Sequence, residues 1–73
     1  MLLKILNLTH LRCPDTIIVI RKNIRNIQYG EKILILSNDI STTWDIPLLC
    51  NCMNYTLLKK NTHQKPYQFL IKK

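Results

Sequence analysis

The residues with the most chemistry within reach of one another are Leu11-Arg12-Cys13-Pro14-Asp15-Thr16. Proline is favoured at the first position of a helix, where its missing N–H is one that the helix leaves unpaired anyway. With Pro14 at that position, Cys13 takes the N-cap, and its sulfur faces free backbone N–H groups and the positive end of the helix dipole. Arg12 adds a full positive charge beside it. Such surroundings favour the thiolate and lower the thiol pKa below its free value, the condition for a nucleophilic cysteine. The same donors would stabilise a terminal persulfide anion. As a cap alone cysteine is a poor choice, because Ser, Thr, Asp and Asn are the preferred residues there. Its use points to the sulfur itself.

Two further cysteines, Cys50 and Cys52, complete the set. Three is an odd count, and separations of 37 and 2 match neither a closed disulfide framework nor paired C-x-x-C zinc motifs. A C-x-C in an extended loop could hold a soft metal, but on a helix the two side chains diverge by about 200°. No metal or other cofactor is expected. Cys50 falls on the apolar face of an expected helix and suits the core; Cys52 falls at the edge of that face and takes no role. His10 is near enough to Cys13 in the chain to act as a local base, although a loop histidine with no chemical duty is the simpler reading. His63 sits in a polar turn and should be solvated.

The elements that position these residues follow from periodicity. Residues 3–8 read as a first strand. After Pro14, Ile17, Ile20, Ile24 and Ile27 recur at helical spacing, with Arg21, Lys22, Arg25 and Asn26 on the other side. Gly30, the sole glycine, falls just past this helix, where a left-handed C′ residue is wanted. Residues 32–37 hold the run Ile-Leu-Ile-Leu, which suits a strand buried on both faces or central in a sheet. Asn38-Asp39 turns the chain, and Thr42 with Asp45 resembles a capping box opening a second helix. Ile46, Leu49, Cys50 and Met53 lie on one face of it, Trp44 lies opposite and should be exposed, and Pro47 should loosen its early turns. Residues 55–60 read as a third strand. From residue 67, Tyr67, Phe69 and Ile71 alternate with Gln68, Leu70 and Lys72 as a fourth. The expected fold is an α+β two-layer sandwich in the order βαβαββ: a four-stranded mixed sheet with two helices on one face.

Length and charge bound what such a unit can do. Seventy-three residues, 47% of them apolar, allow one domain over 1–73 and exclude intrinsic disorder. No apolar run nears the roughly 20 residues that span a bilayer, so no membrane role is expected. The first residues lack an unbroken apolar core and a small-residue cleavage site, so a signal peptide is not expected and a cytoplasmic setting is. Eleven Lys and Arg against four Asp and Glu give +7, which suits an acidic partner, nucleic acid included. Ile, Lys and Asn, however, make up 26 of the residues while Ala is absent, and these three share AT-rich codons, so genome bias alone yields a basic chain. A small basic nucleic-acid-binding domain is therefore one alternative, opposed by the scarcity of aromatics for base stacking. A thiol redox protein is another, opposed by the lack of a C-x-x-C partner beside Cys13.

Taken together, Leu11-Arg12-Cys13-Pro14, the helix close Asn26-Ile27-Gln28 before Gly30-Glu31, the stretch Thr42-Thr43-x-Asp45-Ile46-Pro47 and the ending Pro66-Tyr67-x-x-Leu70-Ile71-x-Lys73 resemble the TusA sulfur-carrier family end to end. The resemblance implies that Cys13 carries sulfur as a persulfide, with Arg12 and Pro14 in support. The sulfur would come from an IscS-like cysteine desulfurase and pass to the TusBCD complex through TusD, in the relay that 2-thiolates the wobble uridine of certain tRNAs. The chain would act as a relay component rather than an enzyme in its own right, as a monomer and without binding tRNA directly. Arg21, Lys22 and Arg25 are expected to steer docking onto acidic partner surfaces. The family's C-P-x-P motif has Thr16 in place of its second proline, and His10 and Asn7 stand where a glycine and an aspartate are usual. A left-handed turn at His10 would be strained by about 1 kcal/mol.

Overall fold

The computed structural model describes residues 3–12 and 15–73. Its elements run β1 (Leu3–Asn7), α1 (Asp15–Asn26), β2 (Lys32–Ser37), α2 (Thr42–Met53), β3 (Thr56–Asn61) and β4 (Tyr67–Lys72). The order βαβαββ and the two-layer arrangement are as the periodicity predicts. The sheet order is β1-β2-β4-β3, with β1 and β2 parallel and both other pairs antiparallel. The first strand ends one residue earlier than expected, the third is shifted by one residue at both ends, and β2 matches.

One face of the sheet lies under the helices. Ile33 and Ile35 of β2, Phe69 and Ile71 of β4, Ile20 and Ile24 of α1 and Ile46 of α2 are all fully buried there. Burying each such side chain contributes roughly 1.5–3 kcal/mol. The other face of β2 is not covered as the apolar run suggests: Leu34 and Leu36 are only half-buried. The run is central in the sheet but enclosed on one side, because both helices pack on the same face.

The helices differ from expectation in three local ways. The buried stripe of α1 begins at Thr16 rather than Ile17, which is half-buried at the edge of the core. On α2 the stripe is Thr42, Ile46 and Cys50 at strict four-residue spacing, leaving Leu49 partly buried and Met53 exposed. The capping box does not form. Ser41 is the N-cap, but its backbone is helical (φ −64°, ψ −23°), whereas a side-chain cap needs extended backbone to aim its oxygen at the N–H groups. The Ser41 N–H instead donates to Asp39 Oδ1, and the Thr42 hydroxyl to the Asp39 carbonyl. The helix continues through Pro47 and closes at Asn54, whose φ of 59° is left-handed.

Gly30 has the positive φ that its position suggests, at 91°, but for another reason. Helix α1 ends at Asn26, and Gly30 belongs to a reverse turn in which the Glu31 N–H donates to the Gln28 carbonyl. A third residue after a turn start with positive φ is where glycine is favoured. At the same end, Lys73 Nζ donates to the carbonyls of Ile27 (2.9 Å) and Arg25 (3.4 Å) and lies 5.0 Å from the Tyr29 ring centre. A cation there complements the negative end of the α1 dipole.

Candidate functional site

Parallel pairing of β1 with β2 brings the loops that follow them to one end of the sheet. The Leu8 N–H donates to the Leu36 carbonyl (2.8 Å), extending the β1–β2 ladder into the loop. Asn7 Oδ1 then accepts from the Thr9 N–H and hydroxyl, an Asx turn of the kind asparagine favours. The Leu11 N–H donates to the Leu8 carbonyl across the turn. Leu8 is buried and Leu11 packs against the core, so the loop is pinned at both sides while His10 stays exposed at its tip. His10 does not have positive φ; among the described residues Asn54 alone does so without being glycine. The strain expected at His10 is therefore absent, because the Asn7 side chain and the Leu8–Leu11 bond shape the turn without a left-handed residue there.

Asn38 Nδ2 donates to the Thr9 carbonyl (3.4 Å), joining the β2–α2 loop to this one. Between the two loops lies a groove of about 480 Å³ lined chiefly by His10, Arg12, Asn38, Asp39, Ile40 and Lys65. Lys65 reaches it because Ser37 pairs with Tyr67, which sets the start of β4 beside the end of β2. Neither Lys65 nor the 38–40 loop carries a motif. Only the strand order, which periodicity does not reveal, brings them to the site.

Cys13 and Pro14, the nucleophile and first helical residue of the sequence reading, lie outside the described residues. Their neighbours bracket them. Arg12 is exposed, and its carbonyl accepts the Thr16 N–H (3.3 Å) in an i to i+4 bond. Asp15 sits exposed in the first turn of α1, where negative charge complements the dipole. Thr16 is buried, and its hydroxyl has no hydrogen-bond partner among the described residues.

Arg21, Lys22 and Arg25 are exposed along α1. Arg21 borders a separate groove between the helices with Asp45, Leu48 and Cys52. Cys50 is buried and desolvation pushes its thiol pKa up, while Cys52 is exposed. The two side chains of the C-x-C thus diverge as its helical setting requires, and no cluster of three metal-ligating side chains exists among the described residues. Trp44 is exposed, as its position opposite the α2 stripe predicts. No helix is long and apolar enough to cross a membrane among the described residues.

A family model described as sulfurtransferase TusA matches residues 4–73. The match runs from Lys4 in β1 through β4 and includes Arg12 and Cys13 in its range. The chain belongs to the TusA family, and with it to the sulfur carriers and sulfurtransferases.

Proposed function

We propose that Cys13 is the sulfur-bearing residue and that the chain relays persulfide sulfur between proteins without completing a reaction on a small substrate. The observation that carries this reading is the family match over residues 4–73, a range that includes Cys13, two residues ahead of the start of α1 in the sequence. In the first step the Cys13 thiolate attacks the terminal sulfur of a persulfide on an IscS-like cysteine desulfurase. A sulfur–sulfur bond forms at Cys13, the bond to the desulfurase cysteine breaks, and that cysteine leaves as a thiolate. In the second step an acceptor thiolate, assigned to TusD of the TusBCD complex, attacks the terminal sulfur on Cys13 and releases the Cys13 thiolate. No outside oxidant or reductant is needed. The end product is 2-thiouridine at the tRNA wobble position, and the relay works in the cytoplasm, where thiols stay reduced.

The described residues support such a role through their charge and shape. The pinned loop holds Arg12 exposed next to Cys13, and His10 and Lys65 line the same groove. Persulfide transfer needs this end of the molecule to enter a partner's cysteine pocket, and a loop fixed by Leu8 and Leu11 enters it without a large ordering cost. Arg21, Lys22 and Arg25 extend positive charge along α1 and steer approach to acidic partner surfaces.

Mass spectrometry after incubation with a cysteine desulfurase and cysteine tests the reading. The wild-type chain, Cys50→Ala and Cys52→Ala should each gain sulfur, and Cys13→Ser should gain none while keeping its fold, because a serine hydroxyl caps at least as well. Loading that persists in Cys13→Ser would refute the assignment. In the same assay Arg21→Glu/Lys22→Glu should load more slowly and with a weaker dependence on salt.

A further inference from the structure

The face of the sheet turned away from the helices is ordered in three cross-strand rows. Leu3, Lys32, Lys72 and Thr56 form one row; Ile5, Leu34, Leu70 and Lys59 the next; Asn7, Leu36, Gln68 and Asn61 the third. The middle row is aliphatic across three strands, with Ile5 60% exposed and Leu34 and Leu70 half-buried. A groove of about 550 Å³ lies over Leu34 and Leu70, with Lys59, Asn61 and Gln68 along its border. None of the twelve positions is acidic. The acids of the chain lie elsewhere, Asp15 and Asp45 in the first turns of the helices, Asp39 in the β2–α2 loop and Glu31 ahead of β2.

We propose that this open face is a docking surface for an amphipathic helix of a partner protein, one whose aliphatic stripe is flanked by Asp or Glu. Width and charge select this occupant. From Ile5 to Leu70 the middle row spans two inter-strand spacings, about 10 Å, which matches the diameter of an α-helix. Leucines at the floor and lysines at the border match an apolar ridge with acidic flanks, the arrangement of helix-in-groove recognition. A second copy of the chain would bring the same basic, acid-free face and so offer Lys32, Lys59 and Lys72 no acidic partner, whereas complementary charge is what favours docking. Single-stranded nucleic acid is bound by stacking on aromatics, and the three rows contain none. A bilayer surface is met by aliphatic and aromatic side chains that protrude, whereas Leu34 and Leu70 sit half-buried beneath a groove. The surface lies across the sheet from both helices, so a partner held there leaves the β1–α1 loop accessible, and the inference does not depend on the sulfur chemistry of Cys13.

The test uses the full chain, labelled for amide NMR, and two synthetic helical peptides with the same leucine stripe, one flanked by Glu and the other by Lys. The acidic peptide should shift amides of β1, β2 and β4 and bind at least about tenfold more tightly than the basic one at low salt. Lys59→Glu/Lys72→Glu should remove most of that preference. Arg21→Glu/Lys22→Glu, which changes net charge equally on the other layer, should leave it in place. The proposal is overturned if the acidic peptide fails to bind, if both peptides bind alike, or if the α1 reversal weakens binding as much as the sheet reversal. Sedimentation with phosphatidylglycerol vesicles that shows binding blocked by Lys59→Glu/Lys72→Glu, with no response to either peptide, would replace the helix by a membrane surface. A concentration-dependent dimer lost in the same variant would replace it by a second copy.

Discussion

Thr16 stands at the first buried position of α1, three residues after Cys13, with a hydroxyl that finds no partner among the described residues. Burying an unpaired hydroxyl costs about 1–3 kcal/mol, and valine has nearly the same shape. Thr16→Val should therefore raise stability by about 1 kcal/mol in urea titration and leave sulfur loading unchanged. An unchanged midpoint would show that the hydroxyl is satisfied after all. Cys50 makes the opposite kind of statement, since its buried thiol is stable only while it keeps its proton. Its pKa is raised in the folded chain by desolvation, so above the free value of about 8.5 the unfolded chain releases a proton that the folded chain retains. Stability should be insensitive to this group at neutral pH and fall as pH rises through the alkaline window between the two values. Melting curves from pH 7 to 10 should show that decline in the wild type and a smaller one in Cys50→Val, provided that Cys13 and Cys52 are alkylated first. The core role of Cys50 and the exposure of Trp44 were readable from helical spacing alone. The role of Thr16 was not, because a polar side chain breaks the apolar pattern that marks a buried stripe.

Lys73 ties an element end. Lys73 Nζ caps the carbonyls of Arg25 and Ile27, and the Lys73 N–H donates to the Glu31 carbonyl. The side-chain bonds are to carbonyls that α1 cannot satisfy within itself, and a cation at a helix C-terminus contributes about 0.3–1 kcal/mol. Lys73→Met keeps the aliphatic stem and removes the charge, so it should lower stability by about 1 kcal/mol in the same titration and give faster amide exchange in the last turn of α1. No loss in Lys73→Met would mean that water serves those carbonyls equally well. At this scale the sequence is most informative where period and side-chain size agree: β4 alternates buried and exposed residues as Tyr67, Phe69 and Ile71 predict. It is least informative at element ends. Thr42-x-x-Asp45 has the composition of a capping box, but whether it forms depends on the backbone angles of Ser41, which no residue type dictates. Gly30 likewise announces a positive φ without saying whether a helix end or a reverse turn requires it.

For the molecule as a whole, strand order separates two surfaces that the sequence leaves undivided. Placing β4 between β2 and β3 brings Lys65 to the loop end and spreads Lys32, Lys59 and Lys72 over the open face. A net charge of +7 therefore belongs to at least three places: the loop end, the outer side of α1 and the bare sheet. The loop end is joined to the sheet by the last rung of the β1–β2 ladder, the bond from the Leu8 N–H to the Leu36 carbonyl. That rung joins residues 28 apart in the chain, with the whole of α1 between them. Non-local pairings of this kind come late in folding, because the intervening loop must close before any contact rewards it. The end of the molecule assigned to sulfur transfer is thus expected to take shape late, so that a refolding chain gains α1 before the Leu8–Leu11 loop that leads to it. Pulse-labelling hydrogen exchange during refolding should find the Leu8 amide protected after the amides of α1; earlier protection at Leu8 would mean that the two parallel strands meet before the helix between them has formed.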